Sequence, residues 1–443
     1  MGGEAAVASA SLVHSADATS AGSVPRSSLA ECHECGRFAR ITDLRPGQTA
    51  RCIRCGAVLR RSVANSLDRT LAFSIAGLVL MAVAATAPFM SMRIEGRVQD
   101  ANLITGAIEL VDRGLWPLGI LVVITTIAAP LAKLGLAVYV IMALKLRRPP
   151  RHLPFVFRSL EMLTPWAMVE VYLLGIFVAY VKLTDLATIQ LGVALYSFMA
   201  LMLIVVAANA SLDDEAAWRE MARRGLVPYP SQMPGPHLVG CERCGFVTTK
   251  GPHDARCPRC QTALHRRKPN SIARTWALVI TAFILYIPAN VYPVMTVISF
   301  GSGQPDTILS GIRELFEAGM WPLALLVFFA SITVPFLKLF GLIALLISVQ
   351  IGARWRLRDR TVLYRVVESI GRWSMIDIFM ISILVGLVRL GSIATIEPGV
   401  GATSFAAVVI ITMIAATTFD PRLMWDAAGA NGERAKGGLT HGG

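Results

Sequence analysis

The sequence predicts an all-α polytopic membrane protein made of two tandem repeats. Hydrophobic residues make up 54% of the chain and charged residues only 16%, and all eight cysteines fall into two clusters that each precede a strongly apolar region. A soluble protein of 443 residues needs more charge on its surface than this. We therefore expect each repeat to contain a small four-cysteine zinc ribbon and a four-helix transmembrane bundle.

Eight stretches are long and apolar enough to cross a bilayer, because about 20 helical residues span its hydrocarbon layer. Four stretches follow each cysteine cluster, and an even number of spans gives both repeats the same orientation. The predicted spans are 71–90, 115–144, 165–183, 195–210, 272–295, 321–351, 373–390 and 404–418.

The distribution of Lys and Arg predicts the orientation, since positive residues accumulate on the cytoplasmic side of membrane proteins. They number eight in 31–69, five in 145–158, eleven in 212–274 and six in 354–372, whereas the intervening connections contain few. We therefore expect both cysteine clusters and both termini to face the cytoplasm. The net charge of +13 then reflects residues that flank apolar segments, and no nucleic-acid partner is expected.

Each cysteine cluster consists of two Cys-x-x-Cys pairs, separated by a gap long enough for a short hairpin. A reducing compartment disfavours disulfides, and four thiolates can surround zinc tetrahedrally. Full coordination by cysteine leaves no position for water, which favours a structural role. We predict one zinc ion per cluster, with iron or disulfides as the alternatives. The predicted ligands are Cys32, Cys35, Cys52 and Cys55 in the first cluster and Cys241, Cys244, Cys257 and Cys260 in the second.

The internal repeat extends well beyond the cysteines, and matching motifs occur in the same order in both copies. They are Asn65-Ser66 and Asn270-Ser271, Gly114-x-Trp116-Pro117-Leu118 and Gly319-x-Trp321-Pro322-Leu323, Pro130 with Lys133 and Pro335 with Lys338, Trp166-x-Met168-x-Glu170 and Trp373-x-Met375-x-Asp377, and Asp213 with Trp218 and Asp420 with Trp425.

These motifs, together with the run Phe419-Asp420-Pro421-Arg422, resemble those of the paraquat-inducible protein A family. The resemblance covers about 31–426. It implies an inner-membrane protein of a Gram-negative bacterium. Such a protein passes lipid to or from a tunnel formed by a periplasmic MCE-domain protein, and phospholipid is the expected lipid.

The predicted spans contain a few ionisable residues, which are costly in a membrane and tend to face the bundle interior and find partners. Each repeat has a lysine in its second span, Lys133 or Lys338, and an acid in its third, Glu170 or Asp377. A structural Lys–acid pair and a path for a lipid headgroup are both consistent with this pattern.

Hydroxyl groups favour the second repeat as the working site. Ser331 lies seven residues before Lys338 and Ser374 lies three before Asp377, so each hydroxyl shares a helix face with the charged residue. The first repeat has Thr126 and Ala167 at the matching positions, which makes its interior less polar. We therefore predict a lipid path lined chiefly by the residues of the second repeat.

The sequence contains no phosphate-binding loop of the Gly-x-x-x-x-Gly-Lys-Ser/Thr type, and all seven histidines lie outside the predicted spans. We therefore expect a protein that is not an enzyme. Two other functions remain open. One is a scaffold that anchors the tunnel without moving lipid, and the other is a redox protein whose ribbons bind iron as rubredoxins do.

The predicted domain boundaries follow from these segments. They are a disordered tail at 1–30, the first ribbon at 31–62, the first bundle at 63–226, the second ribbon at 227–267, the second bundle at 268–426 and a flexible tail at 427–443.

Overall fold

The computed structural model describes residues 27–94, 97–184, 188–229, 238–248, 256–299, 302–388 and 394–429. We refer to the part from 27 to 229 as half 1 and to the part from 238 to 429 as half 2. Most of the two predicted tails lies outside the described residues. The first strand begins at Ser27, slightly before the predicted start of the first ribbon.

The predicted fold class is confirmed. Within the described residues, eight helical passes are long and apolar enough to cross a membrane, four in each half, and the chain is a multi-pass membrane protein. The passes are Ser66–Thr86, Trp116–Lys145, Leu153–Val181, Val193–Ser211, Ser271–Val291, Trp321–Gln350, Leu357–Leu387 and Val400–Thr418.

Half 1 contains, in order, a ribbon, the first pass, a hairpin, a short helix, two passes that are each built from two helices, a strand, the last pass and a closing helix. These elements are β1 (Ser27–Glu31), β2 (Phe38–Thr42), β3 (Thr49–Arg51), β4 (Val58–Arg61), α1 (Ser66–Thr86), β5 (Met90–Ile94), β6 (Arg97–Ala101), α2 (Thr105–Asp112), α3 (Trp116–Val123), α4 (Ala129–Lys145), α5 (Leu153–Leu163), α6 (Val169–Thr184), β7 (Thr188–Leu191), α7 (Val193–Ser211) and α8 (Asp214–Arg223).

Half 2 repeats this order, with shorter ribbon strands. Its elements are β8 (Val239–Gly240), β9 (Val247–Thr248), α9 (Ser271–Val291), β10 (Met295–Ser299), β11 (Ser302–Asp306), α10 (Ile308–Glu317), α11 (Trp321–Phe328), α12 (Val334–Gln350), α13 (Leu357–Ile370), α14 (Ile376–Leu387), β12 (Ala394–Pro398), α15 (Val400–Thr418) and α16 (Arg422–Ala427).

Two three-stranded antiparallel sheets, which the sequence analysis did not predict, lie at the end of the passes opposite the ribbons. Their strand orders are β6-β5-β7 and β11-β10-β12. The predicted first span ran to residue 90, but α1 ends at Thr86 because Ala87, which precedes Pro88, is extended. We call this end of the molecule the sheet side and the other end the ribbon side.

Each sheet brings the end of the first pass of its half against the start of the fourth. A Cβ atom on Gly192 would lie 2.1 Å from the Pro88 carbonyl oxygen, and one on Gly399 would lie 2.2 Å from the Pro293 carbonyl oxygen. The backbones approach so closely at these two equivalent positions that only glycine fits.

A serine joins the same two passes on the ribbon side. Asn65, just before α1, has a left-handed backbone, and the hydroxyl of the next residue, Ser66, donates to the Ser211 carbonyl at 2.7 Å and accepts from the Asp213 N–H at 2.7 Å. In half 2, Ser271 makes the same two bonds, to Thr418 and from Asp420, each at 2.9 Å. The repeated Asn-Ser motif therefore closes each bundle.

The second pass of each half contains one π-helical turn, Ile124–Ala128 in half 1 and Phe329–Thr333 in half 2. Pro130 and Pro335 are each the second residue after these turns. A proline has no N–H for the carbonyl four residues earlier and its ring collides with it, so the helix widens locally into a π turn. In half 2 that carbonyl belongs to Ser331.

The two bundles share one hydrophobic core, and α14 lies at its centre. All twelve residues of α14 are buried, and the helix packs against α6 and α2 of half 1. At the contact with α2, a Cβ on Gly106 would lie 2.1 Å from the Ser382 carbonyl oxygen. The third pass of half 2 is therefore enclosed by both halves.

Candidate functional site

Both predicted cysteine clusters are brought together as four buried thiols. Within each cluster the sulfur atoms all lie within 4.8 Å of one another. The pairs Cys32–Cys55 and Cys241–Cys260 have Sγ–Sγ distances of 3.5 Å, and Cys35–Cys52 and Cys244–Cys257 have distances of 3.6 Å. A tetrahedral ion with metal–sulfur bonds of about 2.3 Å has edges of about 3.8 Å. The donor set therefore fits a four-coordinate metal ion, and none of these cysteines forms a disulfide.

The backbone of each Cys-x-x-Cys turn is bent to point its thiols inward. The residue after each pair has a positive φ: 67° at Gly36, 75° at Gly56, 66° at Gly245 and 60° at Gln261. The N–H of that residue donates to the carbonyl of the first cysteine of its pair, as from Gly36 to Cys32 at 2.9 Å. Gln261 thus adopts the same left-handed conformation as the three glycines.

Each ribbon packs on the bundle of the other half. The thiols of ribbon 1 share a core with Leu339, Phe419 and Trp425 of half 2. The thiols of ribbon 2 share a core with Phe157 and Trp218 of half 1. We call this arrangement the crossed ribbons.

Glu31 on β1 connects the two ribbons on the ribbon side. Its carboxylate accepts the Gly240 N–H of ribbon 2 at 2.8 Å and the Arg422 guanidinium at 3.3 Å. The pKa of Glu31 is raised above its usual value, because the effect of burial exceeds the opposing effects of Arg422 and the Gly240 N–H. The opposite holds for Asp420: burial favours its neutral form, but hydrogen bonding to Arg422 and the charge of Arg422 outweigh burial and lower its pKa.

The second predicted site lies at the break in the third pass of half 2. Here α13 ends, a 3-10 turn runs over Gly371–Met375, and α14 begins. Lys338 is 1% exposed, and its ammonium donates to the Gly371 carbonyl at 3.0 Å and to the Thr412 hydroxyl at 3.3 Å. The lysine therefore binds the irregular backbone of the broken pass, and a direct ion pair with Asp377 stays a prediction.

The two ends of the broken helix suit the two charges. The Gly371 carbonyl is at the carboxyl end of α13, where the helix dipole favours a cation, and Asp377 is in the first turn of α14, where the dipole favours an anion. Discontinuous helices with charged groups at their ends form substrate and ion sites in membrane transporters.

Asp377 and Ser331 line one cavity of about 40 Å³, which extends from the broken pass towards β10 and α10 on the sheet side. The hydroxyls of Ser331 and Ser374 are buried, and within the described residues neither makes a hydrogen bond. The Thr70 and Ser74 hydroxyls beside Lys133 in half 1 are in the same condition, and buried hydroxyls of this kind can hydrogen-bond a water or a ligand.

The counterpart site in half 1 has different surroundings. Lys133 is buried and lines a cavity of about 20 Å³ on the ribbon side, together with Thr70 and Ser74. Thr126, equivalent to Ser331, donates to the Val122 carbonyl at 2.6 Å within its own helix. Glu170, in the first turn of α6, is only partly buried. An ion pair between Lys133 and Glu170 also stays a prediction.

The sequence analysis missed two partners of Lys338, Thr412 and Gly371. Thr412 lies in the fourth pass, where the equivalent residue of half 1 is Val205, and this difference between the copies was a usable signal. The Gly371 carbonyl is a backbone group, and its role depends on the helix break rather than on the identity of the residue.

Sequence comparison aligns several named proteins with nearly the whole chain. It is 34% identical over 411 residues to "Lipophilic envelope-spanning tunnel protein A" of Escherichia coli, covering 91% of this chain and 92% of the relative. It is 33% identical over 398 residues to "Intermembrane transport protein PqiA" of the same species, covering 89% and 95%. A "Probable intermembrane transport protein" of Haemophilus influenzae is 28% identical over 412 residues, covering 90% and 96%.

No solved structure matches the chain. The family model described as paraquat-inducible protein A matches twice, at 67–222 and 272–429, and each match covers the helical bundle of one half. The chain therefore belongs to the paraquat-inducible protein A family.

Proposed function

We propose that this protein is the inner-membrane component of an intermembrane lipid transport system, and that it passes phospholipid to or from a tunnel formed by a periplasmic MCE-domain protein. The names of the relatives support an intermembrane transport role. In this proposal the ribbon side faces the cytoplasm, as the distribution of Lys and Arg predicts, and the sheet side faces the periplasm.

The observation that carries the proposal is the buried polar site in half 2. Ser374 and Asp377 lie at the helix break, and Lys338 of the second pass binds the backbone there. The cavity that Ser331 and Asp377 line reaches the sheet side. A phosphate headgroup needs a cation and hydroxyl donors, while acyl chains need an apolar exit. The apolar residues of the same cavity, such as Val327 and Leu315, meet the second need.

We also propose that each cysteine cluster holds zinc and that the zinc is structural. Four buried thiolates match the ligand preference of zinc, and a domain as small as each ribbon needs such an ion to fold. Elemental analysis of the purified protein tests this, with two zinc ions per chain expected. Iron with a visible charge-transfer band would instead indicate the rubredoxin-like redox function.

Replacing the lysine of each half tests the site. Lys338→Ala removes the cation that the proposed headgroup binds, and cells that depend on this protein should lose their envelope barrier to detergents and large antibiotics. Lys133→Ala is the matched control, and we expect it to have a smaller effect. Both variants should reach the membrane in normal amounts, as measured by immunoblotting of membrane fractions.

Normal barrier function with Lys338→Ala, at normal protein levels, would contradict the proposed lipid site. It would favour the scaffold function, in which the protein anchors the tunnel and moves no lipid. Lipid extraction from the purified complex with its partner gives an independent result: phospholipid should co-purify with wild type and be depleted in the Lys338→Ala complex.

A further inference from the structure

The crossed ribbons make the same contact twice. Arg365 on α13 of half 2 donates to the carbonyl of Cys55, the last metal ligand of ribbon 1, at 2.8 Å. Arg158 on α5 of half 1 donates to the carbonyl of Cys260, the last metal ligand of ribbon 2, at 3.1 Å. Arg158 and Arg365 are equivalent residues, since each lies eight positions before the tryptophan of the repeated Trp-x-Met motif. The contact is therefore a property of the repeat.

Further interactions strengthen each contact. Arg365 also binds both carboxylate oxygens of Glu34, a residue inside the first Cys-x-x-Cys turn of ribbon 1. Arg158 also donates to the Thr262 hydroxyl at 3.5 Å. Bidentate arginine–carboxylate pairs are among the strongest and most directional polar contacts in proteins, so the Arg365 contact fixes the position of α13 against the ribbon.

Each arginine lies about 1.7 helical turns before the break in the third pass. From Arg365 to Gly371 is six residues, or about 9 Å of helix, and the Gly371 carbonyl binds Lys338. Between them Val367 is fully buried and shares a core with the thiols of ribbon 1. In half 1, Arg158 lies six residues before Thr164, where the corresponding 3-10 turn begins.

We propose that Arg365 and Arg158 are positioning residues, through which the metal in each ribbon fixes the broken third pass of the opposite half. A four-cysteine ribbon without metal unfolds, because its own core is too small to hold it. Loss of metal from ribbon 1 then removes the Cys55 carbonyl and Glu34 from Arg365 and uncovers the buried face of α13. The carbonyl that binds Lys338 loses its support, although ribbon 1 belongs to the other half.

Paired cysteine substitutions in the full chain test the crossing, with amide hydrogen exchange as the measurement. Cys52→Ser disables the metal site of ribbon 1, and Cys257→Ser disables the equivalent site of ribbon 2. We expect Cys52→Ser to speed exchange in α13 by about tenfold or more, the factor that corresponds to about 1.4 kcal/mol, and to change α5 much less. Cys257→Ser should do the reverse. Faster exchange only in the helix of the same half, or equally in α5 and α13, would overturn the proposal.

The arginine itself is tested in combination with the metal site. Arg365→Gln should speed exchange in α13 while both metal ions remain bound, as measured by elemental analysis. Adding Cys52→Ser to Arg365→Gln should then speed exchange by a smaller factor than Cys52→Ser does in wild type, because the two changes break the same connection. Arg365→Lys, which keeps the charge, should restore part of the coupling. Full additivity of the two changes would show that Arg365 does not transmit the effect.

The consequence for transport rests on the proposed function and is measured separately. If half 2 holds the lipid, Cys52→Ser should reduce lipid delivery to the partner more than Cys257→Ser does. Hydrogen exchange is measured without lipid delivery, so the crossed coupling and the half 2 lipid site can be contradicted independently. The expected exchange pattern with equal lipid delivery would support the crossed coupling and contradict the half 2 lipid site. A Lys338→Ala defect without the exchange pattern would support the lipid site and overturn the coupling.

Discussion

The lysines of the two halves occupy equivalent positions in different surroundings. Lys338 binds the Gly371 carbonyl and the Thr412 hydroxyl, whereas half 1 has Thr164 and Val205 at those two positions. Both halves keep the broken third pass and the π turn, so duplication preserved the backbone. The side chains around the lysine differ: the Thr412 hydroxyl has no counterpart at Val205, whereas Lys133 shares its cavity with Thr70 and Ser74.

The cavities beside the two sites lie at opposite ends of the passes. In half 2 the cavity with Ser331 and Asp377 extends to the sheet side. In half 1 the cavity with Lys133 lies on the ribbon side, beside the start of α1 and the end of α7. A protein that exchanges lipid with a partner on the sheet side needs its polar site to reach that side. This difference favours half 2 as the transport site and half 1 as its structural support.

Charge also distinguishes the contacts that the two ribbons make with the opposite halves. Ribbon 1 has Glu34 between its first two cysteines, and ribbon 2 has Arg243 at the equivalent position. In the crossed arrangement Glu34 binds Arg365 of half 2. Arg158 of half 1, the equivalent of Arg365, instead donates to the Cys260 carbonyl and the Thr262 hydroxyl of ribbon 2. The two ribbon contacts therefore differ by one ion pair.

The largest stability difference between the halves is expected at the end of the last pass. Asp420 is 1% exposed and binds Arg422, which is 3% exposed, at 2.8 Å. Asp420→Asn removes the carboxylate charge next to this buried guanidinium and should cost about 3 kcal/mol. The equivalent Asp213 accepts the Ala216 N–H at the start of α8, and asparagine caps helices as well as aspartate does. Asp213→Asn should therefore change stability by less than about 0.5 kcal/mol.

The stability difference between wild type and Asp420→Asn should depend on pH. Because the pKa of Asp420 is lowered in the folded protein, its contribution is fully present above the ordinary carboxyl pKa of about 4. It is lost as pH falls through the lower folded value. Thermal unfolding in detergent should therefore show the gap between wild type and Asp420→Asn narrowing below about pH 4. A constant gap, or equal losses for Asp420→Asn and Asp213→Asn, would contradict this account of the ion pair.

A smaller effect is expected where α14 crosses half 1. Gly106→Ala would bring a methyl group against the Ser382 backbone, and such overpacking costs about 1–3 kcal/mol. Gly135 in α4 is the matched control, because an added Cβ there has no atom within 4 Å. Gly135→Ala should stabilise the protein by about 0.5–1 kcal/mol through helix propensity. Equal unfolding temperatures for Gly106→Ala and wild type would show that the two halves do not pack this closely.

The two four-cysteine clusters, the repeat, the eight passes and the buried lysines could be predicted from the sequence. These features depend on local spacing and on composition, which a single sequence contains. The predicted spans missed the sheet strands because strands of five residues, such as the one that begins at Met90, continue the apolar run of the preceding helix. The helix break before Asp377 was missed for another reason. The third span of half 2 was predicted to begin at residue 373, inside the 3-10 turn, because the charged residues of α13 placed 354–372 among the basic connections.

The crossed ribbons could not be predicted from local patterns. The two copies have nearly the same motifs, so either ribbon fits either bundle by hydrophobic pattern alone. The ion pair between Glu34 and Arg365 becomes visible only once ribbon 1 is known to lie against α13. Thr412 is a similar case, because a lone hydroxyl in an apolar pass becomes informative once Lys338 is found beside it.

The assignment of the lipid site to half 2 is tested most directly by photocrosslinking in the complete complex. A photoreactive residue at Val327, which lines the half 2 cavity, is compared with one at the equivalent Val122 of half 1, and the attached lipid is identified by mass spectrometry. We expect phospholipid to crosslink at Val327 and much less at Val122, with the Val327 signal reduced by Lys338→Ala. Equal crosslinking at both positions, unchanged by Lys338→Ala, would contradict the account.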